Sequence, residues 1–134
     1  MIRYSARRIG HGIRRCVEMS DSGRVQVRDR GSSAVVVIWR EWLPILERAL
    51  RVCRDTAGRV VLNAGESPRG IRTIIIAEGA RPGRGARILV RQIAIDGVRT
   101  MTRVLTGEDL DGLEQVFEQR RHEAAERVGG DEAQ

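Results

Sequence analysis

The chain has 134 residues, of which 41% are hydrophobic, enough for one domain with its own apolar core. This composition excludes disorder of the whole chain, and no segment approaches the roughly 20 apolar residues of a membrane-spanning helix. The N-terminal segment MIRYSARRIG has no signal-peptide core. We therefore expect an intracellular protein.

Charge is polarised along the chain, and all 24 basic residues are arginine. Residues 1–106 hold 21 arginines against 9 acidic residues, a formal +12, whereas residues 107–134 hold 3 against 9, or −6. GC-rich coding also favours arginine, but it does not explain this distribution. A basic body attracts polyanions, and an acidic tail competes for the same surface or recruits partners.

The first half predicts three strands and a helix. Alternation of valine with polar residues indicates a strand at Arg24–Arg28. Strands at Ile13–Met19 and Ala34–Trp39 flank it, joined by turns at residues 21–23 and 30–33. Pro44 suits a first helical turn. The helix ends at Ala57-Gly58, and its apolar stripe comprises Trp42, Leu46, Ala49, Leu50 and Cys53.

The second half predicts the same order. Strands are expected at Val60–Leu62 and Ile71–Ala77, joined through residues 63–68, and then at Ile88–Ile95 and Val98–Leu105. Asp96-Gly97 predicts a two-residue hairpin between the last two strands. Thr106 and Asp109 predict a capped helix. Its stripe is Leu110, Leu113, Phe117, Ala124 and Val128, and Gly129-Gly130 is expected to stop it.

These elements predict an α+β fold, in which an antiparallel sheet of two strands-then-helix repeats has its helices packed on one face. We expect a single domain over residues 1–128, with approximate repeats at 11–57 and 59–128. Residues 129–134 are expected to form a disordered tail.

Arginines occur on the polar positions of three predicted strands and in a glycine-rich loop at residues 79–87. Arginines interleaved with Leu89 and Met101 offer charge for phosphates and apolar area for bases. Ordinary solvated strand faces and a mobile hairpin tip are the alternative interpretations. The candidate arginines are Arg24, Arg28, Arg81, Arg84, Arg87, Arg91, Arg99 and Arg103.

The few aromatic residues are divided between core and surface. Trp42 continues the stripe of the first helix and is expected in the core. Trp39 and Tyr4 are the candidates for stacking on bases.

Signals of catalysis or metal binding are weak. His11 and His122 belong to no catalytic or metal motif, and no nucleophile signature such as GxSxG occurs. Cys16 and Cys53 are expected to be reduced thiols, with a disulfide as the alternative. We predict a protein that is not an enzyme and that needs no cofactor or metal.

The segment SGRVQVRDRGSSAVVVIWREWLPILERAL, residues 22–50, resembles a PUR repeat, and residues 85–119 are similar in pattern. The Whirly proteins and the positive-cofactor-type transcriptional coactivators share this four-strands-plus-helix unit. The all-arginine composition also suits an archaeal single-stranded DNA-binding protein of the ThermoDBP kind. These families bind single-stranded DNA or RNA on their sheets, usually as dimers or intramolecular pairs.

The resemblance and the charge pattern together predict sequence-independent binding of single-stranded DNA by a cytoplasmic, nucleoid-associated homodimer. RNA binding remains open, because nothing in the sequence separates ribose from deoxyribose. Another alternative is a protein-assembly module whose C-terminal helix forms an intersubunit seam through Leu110, Leu113 and Phe117. The acidic C-terminal region would assist dimerisation or shield the empty surface.

Overall fold

A computed structural model describes the backbone of residues 2–7, 14–29 and 34–132, and side chains within residues 17–27 and 36–127. Four strands and a helix follow one another twice along this part of the chain. The first set is β1 (Ile2–Arg7), β2 (Arg14–Met19), β3 (Val25–Asp29), β4 (Ala34–Ile38) and α1 (Leu43–Asp55), with a short 3₁₀ turn at Arg40–Trp42 before α1. The second set is β5 (Arg59–Glu66), β6 (Arg72–Glu78), β7 (Arg87–Ile93), β8 (Thr100–Leu105) and α2 (Gly107–Glu132).

The strands form two antiparallel sheets. Sheet 1 has the order β1-β2-β3-β4 and sheet 2 the order β5-β6-β7-β8, so each is a meander of sequential neighbours. The predicted α+β class is confirmed, but its strands lie in two sheets instead of one. Strand β1 lies before residue 11, where the first repeat was predicted to begin. Its alternation of Ile2, Tyr4 and Ala6 with polar residues is a strand pattern.

Each helix packs against the sheet of the other half. Helix α1 contacts β5, β6 and β7, whereas α2 contacts mainly β1 and β2 and touches β7 to a smaller extent. The strand registers explain the core, because Val17, Val27 and Val36 occupy one face of sheet 1, and Leu62, Ile75 and Val90 one face of sheet 2. These faces and both helices form one continuous cluster of buried residues.

Helix α1 begins and packs largely as predicted. Pro44 lies in its first turn. The predicted stripe is confirmed, since Leu46, Ala49, Leu50 and Cys53 are all buried, and Trp42 is buried just before the helix begins.

Helix α2 begins as predicted but does not end as predicted. The Thr106 backbone N–H donates to Asp109 Oδ2 at 3.2 Å, which is the reciprocal half of a capping box. The predicted stripe is confirmed at Leu110, Leu113 and Phe117, which are buried, but it is wrong at Ala124, which is exposed. The side chain of Val128 lies outside the described residues. The predicted stop at Gly129-Gly130 is wrong, because the helix continues to Glu132. Glycine permits the left-handed helix end but does not impose it.

Both hairpins of sheet 2 differ from the prediction: strand β5 is longer than predicted, and the β7–β8 turn is wider than predicted. Strand β5 continues through the predicted loop to Glu66, with a bulge between Asn63 and Gly65, whose φ is +107°. In the β7–β8 hairpin the centre at Asp96-Gly97 is confirmed, but the two-residue loop is wrong. The last rung is the bond from Ala94 N–H to Arg99 C=O at 2.9 Å.

Candidate functional site

An exposed tryptophan beside an arginine marks the open face of sheet 1, which we define by Arg24, Gln26, Val37 and Trp39. The register pairs Gln26 with Val37, so Arg24 comes beside Trp39. The Arg24 guanidinium carbon lies 5.7 Å from the Trp39 ring centroid, within range of a cation–π contact. With the Gln26 amide oxygen turned towards Arg24, that oxygen accepts from Arg24 Nη2 at 2.6 Å.

The two tryptophans differ in exposure as the sequence predicts. Trp39 is 45% exposed, whereas Trp42 is 7% exposed. Trp39 directly follows β4 on the side of Val37, which is opposite the core position of Ile38. Two other predicted site residues, Tyr4 and Arg28, pair with Val17 and Cys16 in sheet 1. Their side chains lie outside the described residues, as does the predicted turn at residues 30–33.

An apolar row crosses the open face of sheet 2, which we define by Val61, Ile76, Leu89 and Val104. These four residues are paired neighbours from β5 to β8. The ends of the row are open, since Val61 is 55% and Val104 43% exposed. Arg91 lies on the same face, two residues from Leu89, and its Nε donates to Thr102 Oγ1 at 3.4 Å. Ile76 in the middle of the row is only 2% exposed, so this face presents to solvent the two ends of the row and the half-buried Leu89 and Arg91.

Arginines of the glycine-rich loop surround a buried carboxylate. Arg84 Nη1 lies 2.9 Å from Glu78 Oε2, and Arg87 Nη2 lies 3.4 Å from Glu78 Oε1. Arg59 of β5 is farther away, with its Nε 4.0 Å from Glu78 Oε1. Burial alone would raise the pKa of Glu78, but Arg87, Arg84 and Arg59 outweigh it and hold that pKa below its usual value. Arg84 and Arg87, two of the predicted nucleic-acid-binding arginines, are therefore paired with a carboxylate of the same chain.

The loop itself is a tight turn. Arg81 and Arg84 exchange two backbone hydrogen bonds of 2.9 Å across Pro82-Gly83, and Gly83 has a φ of +81° that favours glycine. Arg81 is exposed and makes no ion pair with any acidic side chain that the structure describes. Of the three loop arginines, Arg81 is therefore the one left available to a ligand.

The predicted arginine face is split by the strand register. Arg91 pairs with Thr102, whereas Arg103 pairs with Val90. Because alternate residues point to opposite faces, Arg103 and Met101 lie on the face of Val90, opposite Leu89 and Arg91. Arg99 lies in the hairpin turn and its Nε contacts Asp96 Oδ2 at 3.0 Å. The structure thus separates Arg91 from Arg99 and Arg103.

The acidic first turns of α2 bind to α1. Arg54 Nη2 lies 2.6 Å from Asp111 Oδ1, and Arg54 Nε lies 2.6 Å from Glu114 Oε1. The hydrogen bonds that Arg54 donates to Glu114 and to Asp111 raise the pKa of Arg54, although partial desolvation acts to lower it. These carboxylates are engaged within the chain, so they are not free to shield the basic surface.

Groups with catalytic or redox potential are few among the described residues. Cys53 is a free, buried thiol whose Sγ donates to the Arg87 carbonyl at 3.4 Å, so the alternative of a disulfide is wrong. Burial raises its pKa, which makes it a poor nucleophile. His122 Nε2 lies 3.1 Å from Glu126 Oε1, one turn later in α2. In the described ranges, no three His, Cys, Asp or Glu side chains are grouped for metal binding.

Neither helix of the described part is both long and apolar enough to cross a bilayer. Comparison with protein-family models, curated proteins and solved structures gave no match to this chain. The apolar row of sheet 2 is the feature that sequence reasoning missed. Its signal lies in Val61 and Val104, which alternate with the buried Leu62 and Leu105.

Proposed function

We propose that this protein binds single-stranded nucleic acid, DNA in the first instance, on the open faces of its sheets. The observation that carries the proposal is the Arg24–Trp39 pair, where an exposed indole and a guanidinium lie 5.7 Å apart. A base stacks on this pair while Arg24 also faces the backbone phosphate. Single strands suit such a site because their bases are free to stack.

The open face of sheet 2 supplies a second contact surface in this proposal. Leu89 and Val104 offer apolar area for bases, and Arg91 is the nearby cation. Arg81 extends the basic surface from the adjoining turn. Arg84 and Arg87 support the surface by holding Glu78, and Arg99 and Arg103 contribute long-range positive potential. Binding of this kind reads backbone charge and base faces, so it is largely independent of sequence.

The order of elements supports the resemblance to PUR and Whirly proteins. Four antiparallel strands followed by a helix occur twice in the described part of the chain. We propose that these halves are structural repeats, each with a helix on one face of a sheet and the other face open. A cytoplasmic, nucleoid-associated location accords with this role.

The alternatives differ in what supports them. RNA offers the same phosphates and bases, so it is the second candidate ligand. The assembly module lacks its proposed seam, since Leu110, Leu113 and Phe117 are at most 2% exposed within the chain. Nucleic-acid binding does not require the predicted homodimer, because both open faces lie on one chain.

Fluorescence anisotropy tests the proposal. Labelled single-stranded DNA, matched RNA and duplex DNA are each titrated with protein at several salt concentrations. We expect the single strands to bind with affinity that falls steeply with salt, and the duplex to bind much more weakly. Absence of binding to all three at low salt would overturn the proposal.

A further inference from the structure

Strand β8 is an edge strand of sheet 2, and its side chains are exposed on both faces of the sheet. It pairs with β7 alone, and all five residues from Thr100 to Val104 are exposed. Met101 on one face is 52% exposed and Val104 on the other is 43% exposed. An unpaired edge of this kind is a template for another strand.

The other described edges carry features that hinder strand addition. Strands β4 and β5 each hold a bulge. In β4 it lies between Ala34 and Val36, and in β5 between Asn63 and Gly65. Strand β1 holds Arg3 and Arg7, and α2 lies against it. By contrast, β8 has a regular register, one charged residue and no glycine or proline. Among the described edges, β8 is therefore the one best suited to pair with another chain.

The direction of the backbone groups on β8 follows from its ladder with β7. The bond from Ala94 N–H to Arg99 C=O makes these two residues a hydrogen-bonded pair. Hydrogen-bonded and non-hydrogen-bonded pairs alternate along an antiparallel ladder. Met101 and Arg103 therefore bond to β7, and the backbone groups of Thr100, Thr102 and Val104 point to the free edge.

We propose that β8 pairs antiparallel with β8 of a second copy of this chain, with Thr102 opposite Thr102 of the second copy on the two-fold axis. This homodimer joins the two copies of sheet 2 into one continuous sheet. The inference is independent of nucleic-acid binding, because it rests on the edge alone.

The register follows from two requirements and one repulsion. Two residues that pair across the axis must lie on the same face of the joined sheet. Their backbone groups must also point the same way, either both to the free edge of β8 or both to β7. Even-numbered residues therefore pair with even-numbered ones. Centring on Met101 would oppose Arg99 and Arg103, and centring on Arg103 would oppose two arginines. Like charges directly opposite are destabilising. Centring on Thr102 instead places Met101 opposite Arg103, and Thr100 opposite Val104.

A charge switch at Met101 tests this register. Met101→Glu places a carboxylate opposite Arg103 of the other copy, whereas Met101→Lys places a like charge there. Since the axis generates two such contacts, we expect the dimer dissociation constant to fall roughly 2- to 30-fold with glutamate and to rise by a similar factor with lysine. Equal effects of the two variants would overturn the register.

A proline at the centre tests the edge itself. Thr102→Pro removes an N–H that faces the free edge, and prolines are tolerated at such positions of edge strands. Thr102→Val is the matched control, because it also removes the hydroxyl that accepts from Arg91 but keeps the N–H. Light scattering should give about 30 kDa for the wild type and the valine variant, twice the 15.0 kDa chain, and the monomer mass for the proline variant. Far-UV circular dichroism confirms that the variants fold.

A cysteine at position 102 gives an independent readout. Hydrogen-bonded antiparallel pairs have Cα atoms about 5.5 Å apart, within the range that a disulfide spans. Thr102→Cys should therefore form a crosslinked dimer on mild oxidation, and Arg48→Cys, exposed on α1, should not. A wild-type chain that is monomeric at every concentration, or a dimer that Thr102→Pro does not dissociate, would overturn the inference.

Discussion

Trp39 and Trp42 are close in sequence but lie on opposite sides of one corner. Strand β4 ends at Ile38, and its alternation carries Trp39 to the open face. The 3₁₀ turn at Arg40–Trp42 then changes the period, so that Trp42 joins the buried stripe of α1. The alternation of the strand and the 3.6-residue repeat of the helix suffice to predict that Trp39 is exposed and that Trp42 is buried. The partner of Trp39 is harder to predict, because Arg24 reaches it only through the register of β3 and β4.

Variants of Trp39 and Arg24 should weaken single-strand binding in different ways. Trp39→Ala removes a stacking surface worth about 1–3 kcal/mol per base, so affinity should fall at every salt concentration with the salt slope unchanged. Arg24→Gln removes one phosphate contact, which should reduce the slope by about 0.7. Anisotropy titrations over a salt series measure both quantities.

Arg48→Gln is the matched control for Arg24→Gln, since it removes the same charge from an exposed site on α1. It should leave the slope nearly unchanged. If Arg24→Gln and Arg48→Gln have equal effects, the strand binds through overall charge and not at the open face of sheet 1.

Glu78 links the arginines of sheet 2 to stability in acid. Its pKa is lowered by Arg87, Arg84 and Arg59 against the effect of burial. A lowered carboxylate pKa stabilises the fold above the ordinary value of 4.5, and this contribution is lost as the pH falls through the folded-state pKa. Glu78→Gln should therefore be less stable than the wild type at pH 7, and the difference should shrink in acid.

Urea unfolding of both proteins at neutral and acid pH measures this change. Glu66→Gln, at an exposed carboxylate near the end of β5, is the control. A stability difference for Glu78→Gln that persists unchanged in strong acid would show that packing, and not charge, holds the cluster together.

At the scale of single elements, the sequence predicts the helices better than the hairpins. The stripe of α1, and that of α2 from Leu110 to Phe117, repeat over successive turns, and each repetition reinforces the pattern. A hairpin instead depends on a register that a single bulge alters, as the extra residue in β5 does. The pattern of each strand alone predicts the arginine face, but it does not specify which residues of β7 and β8 are paired. Even a correctly centred turn at Asp96-Gly97 places Arg91 and Arg103 on opposite faces.

The capping contact of α2 gives a prediction at this scale. Asp109→Ala leaves the Thr106 N–H without its carboxylate acceptor and should lower the free energy of unfolding by about 1 kcal/mol. Chemical denaturation measures the change. Glu118→Ala, exposed and later in the helix, should have a much smaller effect. Similar losses for the two variants would contradict a specific role for the cap.

At the scale of the whole molecule, one core joins the two halves. Residues of both sheets and both helices belong to the same buried cluster, and Arg54 ties α1 to α2. The sequence predicts that each helix covers a sheet, but it does not reveal which one. Both helices are amphipathic and both sheets offer a similar aliphatic face, so either pairing satisfies the pattern.

We expect the chain to unfold in a single transition because of this shared core. The variant Trp39→Phe leaves Trp42 as the single tryptophan, since the chain has two. Its fluorescence reports the region beside Gly65 of β5, whereas circular dichroism reports both helices. The two denaturation curves should coincide. Separate midpoints would instead show that the halves unfold independently.

The exchange of helices has a consequence for synthesis on the ribosome. Sheet 1 is made first, yet the helix that contacts β1 and β2 is made last. Val17 and Met19 of β2 therefore lack their final helical cover until α2 has left the exit tunnel. This aliphatic surface of sheet 1 stays uncovered while the ribosome synthesises the second half of the chain. We therefore expect a chaperone that shields exposed apolar strands to reduce aggregation of this chain during its synthesis.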